Sequence, residues 1–207
     1  MTELNHPIVV ESFGIIDREV GEHSWPPEKY AIIRRAIHAT ADFELQRLFR
    51  FQARAIAAGI QAIQSGCAIV VDVTMVRQGI LTMLGKTFQN PVITALDRAE
   101  PPIPGKTRTE AGLLRCLAQY PDAIYVIGNA PTALLALCAA KTTPVLVIGV
   151  PVGFVQVEAA KQALMATDLP YICVAGRKGG SAVAAAIVNA LVVLAWEAQQ
   201  AQCQIQK

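Results

Sequence analysis

Three histidines occur in the chain, and one of them is placed to do proton chemistry. His6 and His23 fall in stretches that read as solvated loops. His38 lies late in the helical segment EKYAIIRRAIHAT, three residues after Arg35 and four after Arg34, so the three side chains share a neighbourhood. An unperturbed imidazole titrates near ~6.5 and can deliver a proton at neutral pH. Neighbouring arginines lower that value, and bound carboxylates raise it. A lone histidine in a helix is more often structural than catalytic, so spacing alone makes His38 a candidate. With no second histidine or cysteine at ligand spacing, no metal site is expected. Nucleophilic catalysis has little support: G-x-S-x-G is absent and no cysteine sits beside a plausible base. Asp72, at the end of the first strand in VVDVTMV, reads equally as an acid or base and as a turn or N-cap residue.

A second set of residues could hold anions. Three segments rich in backbone-permissive residues leave apolar runs and enter helices: Gly128-Asn129-Ala130-Pro131-Thr132, Gly149 to Phe154, and Gly176-Arg177-Lys178-Gly179-Gly180-Ser181. A helix start offers free N–H groups and a positive dipole end, worth roughly 0.3–1 kcal/mol toward an exposed anion. Several starts acting together, with Arg177 and Lys178 adding full charges, would make a rim for carboxylates or phosphates. The competing reading is that these glycines only turn the chain. Neither G-x-G-x-x-G nor G-x-x-x-x-G-K-[ST] occurs, which leaves a nucleotide site weakly supported.

The elements that must carry these residues follow from hydrophobic pattern. Val- and Ile-rich runs recur at 67–73, 91–96, 123–128, 144–149 and 171–176, separated by helical stretches such as 109–120 and 131–141. Continuous apolar strands alternating with helices predict a parallel sheet covered on both faces. The expected fold is therefore a three-layer α/β/α, doubly wound sheet of about five strands, in one domain spanning 1–207. Two helices precede the first clear strand, one beginning near Pro26-Pro27 and one from about Phe51 to Ser65. PPIPGK at 101–106 reads as a surface loop. In an open parallel sheet, ligands bind beyond the carboxyl ends of the strands, where the three glycine segments lie.

Composition narrows the function class. Hydrophobic residues make up 53% and charged residues 16% of 207, which supplies a large core and excludes general disorder. A net charge of +2, without basic runs, gives no reason to expect nucleic acid. The most apolar stretch, from Ala182 to Trp196, falls short of the roughly 20 residues a bilayer requires and reads as a covered helix. MTELNHPIVVESFG lacks the basic-then-apolar order of a signal peptide. Five cysteines without C-x-x-C spacing predict free thiols in a reducing cytoplasm, not a disulfide or zinc framework.

Five segments then carry a resemblance. IHATADFE (37–44), VDVTMVRQGI (71–80), IGNAPTALL (127–135), GVPVGFV (149–155) and GRKGGSAVAAAIVNAL (176–191) together resemble the precorrin-8X methylmutase family, collinearly from about residue 8 to 191. The resemblance implies a flavodoxin-like fold and a homodimer with active sites near the interface. The implied activity is an isomerase of cobalamin biosynthesis that moves a methyl group from C-11 to C-12 of a corrinoid, with or without cobalt, and uses no cofactor. Matched to the family's motifs, His38 becomes the catalytic acid, and Arg35 and Ser12, of Glu11-Ser12-Phe13, contact the substrate. Asn129, Arg177, Gly179, Gly180 and Ser181 complete the expected substrate-binding set. One departure stands out: where the family usually shows Glu-Ser-Lys, this chain keeps Lys161 but has Ala159 and Ala160, with Glu158 one place early. A corrinoid carrier and a nucleotide- or flavin-binding protein are the rival readings, since a fold does not fix a function.

Overall fold

Strand and helix alternate along most of the chain in the computed structural model, which describes residues 4–205. Its sheet has six strands in the order β1-β6-β5-β4-β2-β3. They are β1 Phe49–Phe51, β2 Ile69–Val71, β3 Val92–Thr94, β4 Ile124–Ile127, β5 Leu146–Gly149 and β6 Tyr171–Val174. β2 to β6 pair in parallel, and β1 runs antiparallel to β6, with Phe49 opposite Val174. Taken alone, the five parallel strands have the flavodoxin-like order 2-1-3-4-5, as the resemblance implies. The sixth strand is an addition to the expected five. Phe-Arg-Phe is too short to show a period, and the helix expected from Phe51 instead begins at Ala55, as α4 (Ala55–Gln64).

Alternation along each strand divides the core in two. Ile69, Val71, Ile124, Val126, Leu146, Ile148, Ile172 and Val174 face one side, with α1 (Pro7–Val20), α2 (Pro27–Thr40), α4, α5 (Thr74–Gly85) and α9 (Ser181–Ile205). Val70, Tyr125, Ile127, Val147 and Cys173 face the other, with α6 (Arg108–Gln119), α7 (Pro131–Ala139) and α8 (Val157–Met165). Each fully buried Val, Leu or Ile contributes roughly 1.5–3 kcal/mol, so strands buried on both faces hold the layers firmly. α3 (Leu45–Leu48) is a single turn leading into β1.

α9 is the central helix of its layer and packs on α2, α4 and α5. It continues well past Trp196, so Ser181–Gln204 has the length and apolarity of a membrane span, unlike the shorter stretch read from sequence. More than half of its most apolar window is buried inside the protein, against those helices. Gly79 allows α5 to approach it: a Cβ there would fall 2.7 Å from the Ala185 Cβ. Asn189, the polar break in this helix, donates to the Gly79 carbonyl at 2.9 Å.

α1 adds a third helix to the two expected before the parallel strands. Pro7 occupies its first turn, and His6 caps it, its Nδ1 accepting from the Ile8 N–H at 3.3 Å. Phe13 and Ile16 are buried beneath it, and Val9 and Val20 pack alongside. This spacing of four, three and four is helical. α1 lies against α2 and thereby brings Ser12 to His38.

Candidate active site

His38 sits in the last turn of α2, which ends where Ala41 adopts a left-handed conformation. The Ser12 hydroxyl meets His38 Nδ1 at 2.7 Å. Phe13 stands edge-on to the imidazole with ring centroids 5.5 Å apart. Nε2 has no hydrogen-bond partner among the described residues, and the side chain is exposed. Burial of part of the ring and the Arg35 charge both hold His38 below its ordinary value, burial being the larger cause. The free imidazole is therefore mainly neutral at pH 7. A Ser12 O–H donating to Nδ1 fixes the proton of that neutral ring on Nε2, the nitrogen without a partner.

The two arginines before His38 are held differently. Arg34 pairs with Asp17 at 2.8 Å and lies 4.4 Å from the Phe13 ring centroid. Arg35 donates to Asn5 Oδ1 at 2.6 Å and lies 5.4 Å from the same ring. Burial, and then the Arg34 charge, push the Arg35 guanidinium below its ordinary value. Phe13 is thus a shared floor under one imidazole and two guanidiniums. Neither Phe13 nor Asn5 was singled out by sequence. Phe13 adjoins Ser12 in the matched motif, but no signal marked Asn5, which meets Arg35 across 30 positions.

The glycine segments gather, as expected, at the carboxyl ends of the strands. Gly128 abuts Ser181, Gly180 donates its N–H to the Val150 carbonyl at 2.8 Å, and Gly153 donates to the Arg177 carbonyl at 3.2 Å. A Cβ on Gly179 would land on the Val150 carbonyl oxygen, and its φ of 145° disfavours any side chain. At the other end of this loop, Lys178 bonds Asp42 at 2.7 Å and Glu44 at 2.6 Å, just beyond His38. One continuous arc therefore runs from Asn129 through Ser181 and Gly179 to the end of α2. No hydrogen bond joins His38 to Asn129 or Arg177 directly among the described residues.

Two expectations for the rim are corrected. The N–H groups of Gly128, Asn129 and Ala130 do not face an incoming anion. They donate to the buried Asp72 carboxylate at 3.1, 2.6 and 2.9 Å. The reason is topological: β2 and β4 are the neighbours where strand order reverses, and Asp72 follows β2 directly into that crevice. Burial pushes the Asp72 carboxyl up, and the three N–H donors oppose that shift. Lys178 likewise adds no free charge to the rim, because it is paired with two carboxylates.

What remains for an anion is the exposed Asn129 side chain, Arg177 and the start of α9. The N–H groups of Ser181, Ala182 and Val183 meet no backbone acceptor among the described residues. Arg177 is 60% exposed at its side chain, lies 5.6 Å from the Phe154 ring centroid and faces Glu158 at 3.4 Å. Here the departure in α8 acquires a physical account. Glu158 reaches Arg177, and Ala160 is fully buried in the core beneath the sheet. Lys161 is fully buried too.

Fold and site together define an α/β/α protein whose usual nucleotide crevice is closed from within. Its exposed chemistry is an imidazole and an edge that carries Arg177 and the N–H groups at the start of α9. The sequence model of the family described as precorrin-8X methylmutase matches residues 7–194. A cobalt-precorrin-8 methylmutase of Synechocystis is 54% identical, over 95% of this chain and 99% of its own. A precorrin-8X methylmutase of Pseudomonas aeruginosa is 38% identical, over 87% of this chain and 91% of its own. The crystal structure of precorrin-8X methylmutase from Thermus thermophilus superposes with a TM-score of 0.86 at 44% identity, covering 93% of this chain and 99% of that one. The chain belongs to the precorrin-8X methylmutase family, isomerases of cobalamin biosynthesis. The carrier reading finds no support in these relatives.

Proposed function

We propose that this protein moves a methyl group from C-11 to C-12 of precorrin-8X or its cobalt form, with His38 as the general acid. The observation that carries this reading is the His38–Ser12 pair, with Nδ1 engaged and Nε2 left without a partner among the described residues. Residues 1–207 act as one methylmutase domain, a reading supported by the single sheet and by the family match over 7–194.

The reaction is an isomerisation, so it needs neither an external nucleophile nor an organic cofactor. Ring carboxylates bind at Arg35, Arg177, Asn129 and the free N–H groups of Ser181 and its neighbours, with Gly179 and Gly180 shaping that turn. Ser12 orients the imidazole and contacts the substrate's edge. Carboxylates arriving beside Arg35 offset the charge that depresses His38, so the imidazole takes up a second proton at Nδ1 as substrate binds, with the Ser12 oxygen turning to accept from it. His38 Nε2 then gives its proton to a ring nitrogen of the metal-free substrate, which withdraws electrons from the conjugated system. The bond from C-11 to the methyl carbon breaks, the bond from C-12 forms, and the nitrogen returns the proton to His38. General acid catalysis of this kind is worth roughly 10²–10⁴ in rate. In the cobalt-loaded substrate the nitrogen lone pairs are committed to the metal, and His38 acts as a hydrogen-bond donor at the ring edge.

The partner proposed besides the corrinoid is a second copy of this chain; neither nucleic acid nor membrane is proposed. α1 leaves Ile8 and Val10 exposed at 67% and 56%, and the loop after β5 leaves Phe154 at 83%, apolar surface that a dimer would cover. Five free thiols fit a cytoplasmic location. The test is direct: purified protein is mixed with metal-free and with cobalt-loaded precorrin-8, and the visible spectrum is followed. Conversion to hydrogenobyrinate or cobyrinate is expected; an unchanged spectrum with both rings refutes the assignment.

A further inference from the structure

Lys161 lies on α8, has no solvent exposure, and donates from Nζ to two backbone carbonyls, Gly176 at 2.8 Å and Lys178 at 2.6 Å. Burying an ammonium is costly unless its protons are satisfied, and here the acceptors belong to a single loop. That loop contains Arg177, flanked by the two residues Lys161 grips. It also has three glycines at positive φ, Gly176, Gly179 and Gly180, and so little stiffness of its own. The N–H groups at the start of α9, which follows this loop, meet no backbone acceptor among the described residues. No mechanistic step uses Lys161.

We propose that Lys161 is a positioning residue: its buried ammonium grips the 176–178 carbonyls and so holds the loop in the shape that presents Arg177 and the start of α9 to substrate carboxylates. This rests on the corrinoid reading given above. Charge-assisted hydrogen bonds are about twice as strong as neutral ones, so the grip depends on the ammonium form. Burial depresses Lys161 to about 8, with Cys173 from β6 and Glu158 from its own helix pulling the other way. The thiols near it are steady over the relevant range. Burial holds the Cys173 thiol up at about 12, although Lys161 and Arg50 lower it, and Cys138 at about 11. A base depressed by folding contributes more stability as pH rises from its folded value to its ordinary one, so Lys161 does not unfold the chain as it titrates.

The experiment measures hydrogenobyrinate binding by visible absorbance from pH 7 to 9, with a thermal melt at each pH, for wild type, Lys161→Met and Lys161→Gln. Wild-type Kd should rise about threefold to tenfold across this range. Lys161→Met should bind about tenfold more weakly at pH 7 and show no alkaline change, while melting as a folded protein. Lys161→Gln, which keeps two donors, should fall between them and also lack the alkaline change. Folded Lys161→Met with wild-type affinity and an intact alkaline change overturns the proposal. Should neither variant fold, a flat wild-type profile overturns it alone. If wild type binds no corrinoid at pH 7, the functional reading has failed instead. The positioning role then stands or falls on amide exchange at Gly180 and Gly153, whose N–H groups bond the Val150 and Arg177 carbonyls and which must quicken in wild type between pH 7 and 9 beyond the intrinsic base-catalysed rate.

Discussion

Replacing Asp72 tests whether the strand-order crevice is closed from inside the protein. Its carboxylate accepts from Gly128, Asn129 and Ala130 at 3.1, 2.6 and 2.9 Å, and the residue has no solvent exposure. A hydrogen bond to a charged group contributes roughly 1.5–3 kcal/mol, and a buried donor left without a partner costs roughly 1–3. Asp72→Ala strips all three N–H groups of their acceptor. Allowing for relaxation and for relief of the carboxylate's own burial cost, a loss of about 4 kcal/mol is expected. A chain of this size loses roughly 2–4 °C per kcal/mol, so the melting midpoint should fall by about 8–16 °C. Asp72→Asn is the sharper probe. Its oxygen can still serve Asn129 and Ala130, which share Oδ2, but its amide group then opposes the Gly128 N–H. A fall of about 4–8 °C is expected, from loss of one bond and of charge assistance in two. Thermal melts followed by circular dichroism at pH 7 provide the assay. Midpoints within 2 °C of wild type for Asp72→Ala would refute the claim that this carboxylate holds the turn.

Two further perturbations bear on the site. Arg35→Ala removes the positive charge that, with burial, holds His38 down, so the imidazole pKa measured by NMR titration of the free protein should rise; a fall or no change would contradict the electrostatic account. The same variant should bind corrinoid more weakly, and an unchanged dissociation constant would take Arg35 out of the binding set. Gly179→Ala forces a Cβ onto the Val150 carbonyl at a φ of 145°, a strain of roughly 1–3 kcal/mol. The loop must shift, so hydrogenobyrinate affinity should drop about tenfold or more with the rest of the fold intact, and full affinity would show that the loop shape does not matter.

The five parallel strands were legible because each is a continuous apolar run, and burial on both faces demands that pattern. β1 was not, because three residues pairing with β6 across more than a hundred positions leave no local signature. α1 has its own signal in Pro7 and in the helical spacing of Val9, Phe13, Ile16 and Val20, in a segment less apolar than the strands. At the site, His38, Ser12 and Arg35 came from motif likeness, and the structure places them together. The fate of the 128–130 N–H groups was beyond reach of pattern. A helix start looks the same in sequence whether an outside anion or Asp72, some 56 positions away, occupies it. Lys178 misled for the same reason, since its partners Asp42 and Glu44 lie across the fold.

The central claim is that the His38 imidazole gives up the proton that lets the methyl group move. Single-turnover conversion of metal-free precorrin-8X by His38→Ala, with hydrogenobyrinate affinity measured in parallel, tests it most directly. Conversion slower by roughly 10²–10⁴, with product still bound in its coloured form, is the expected result. Conversion within a few fold of wild type would contradict it and assign the proton to another group.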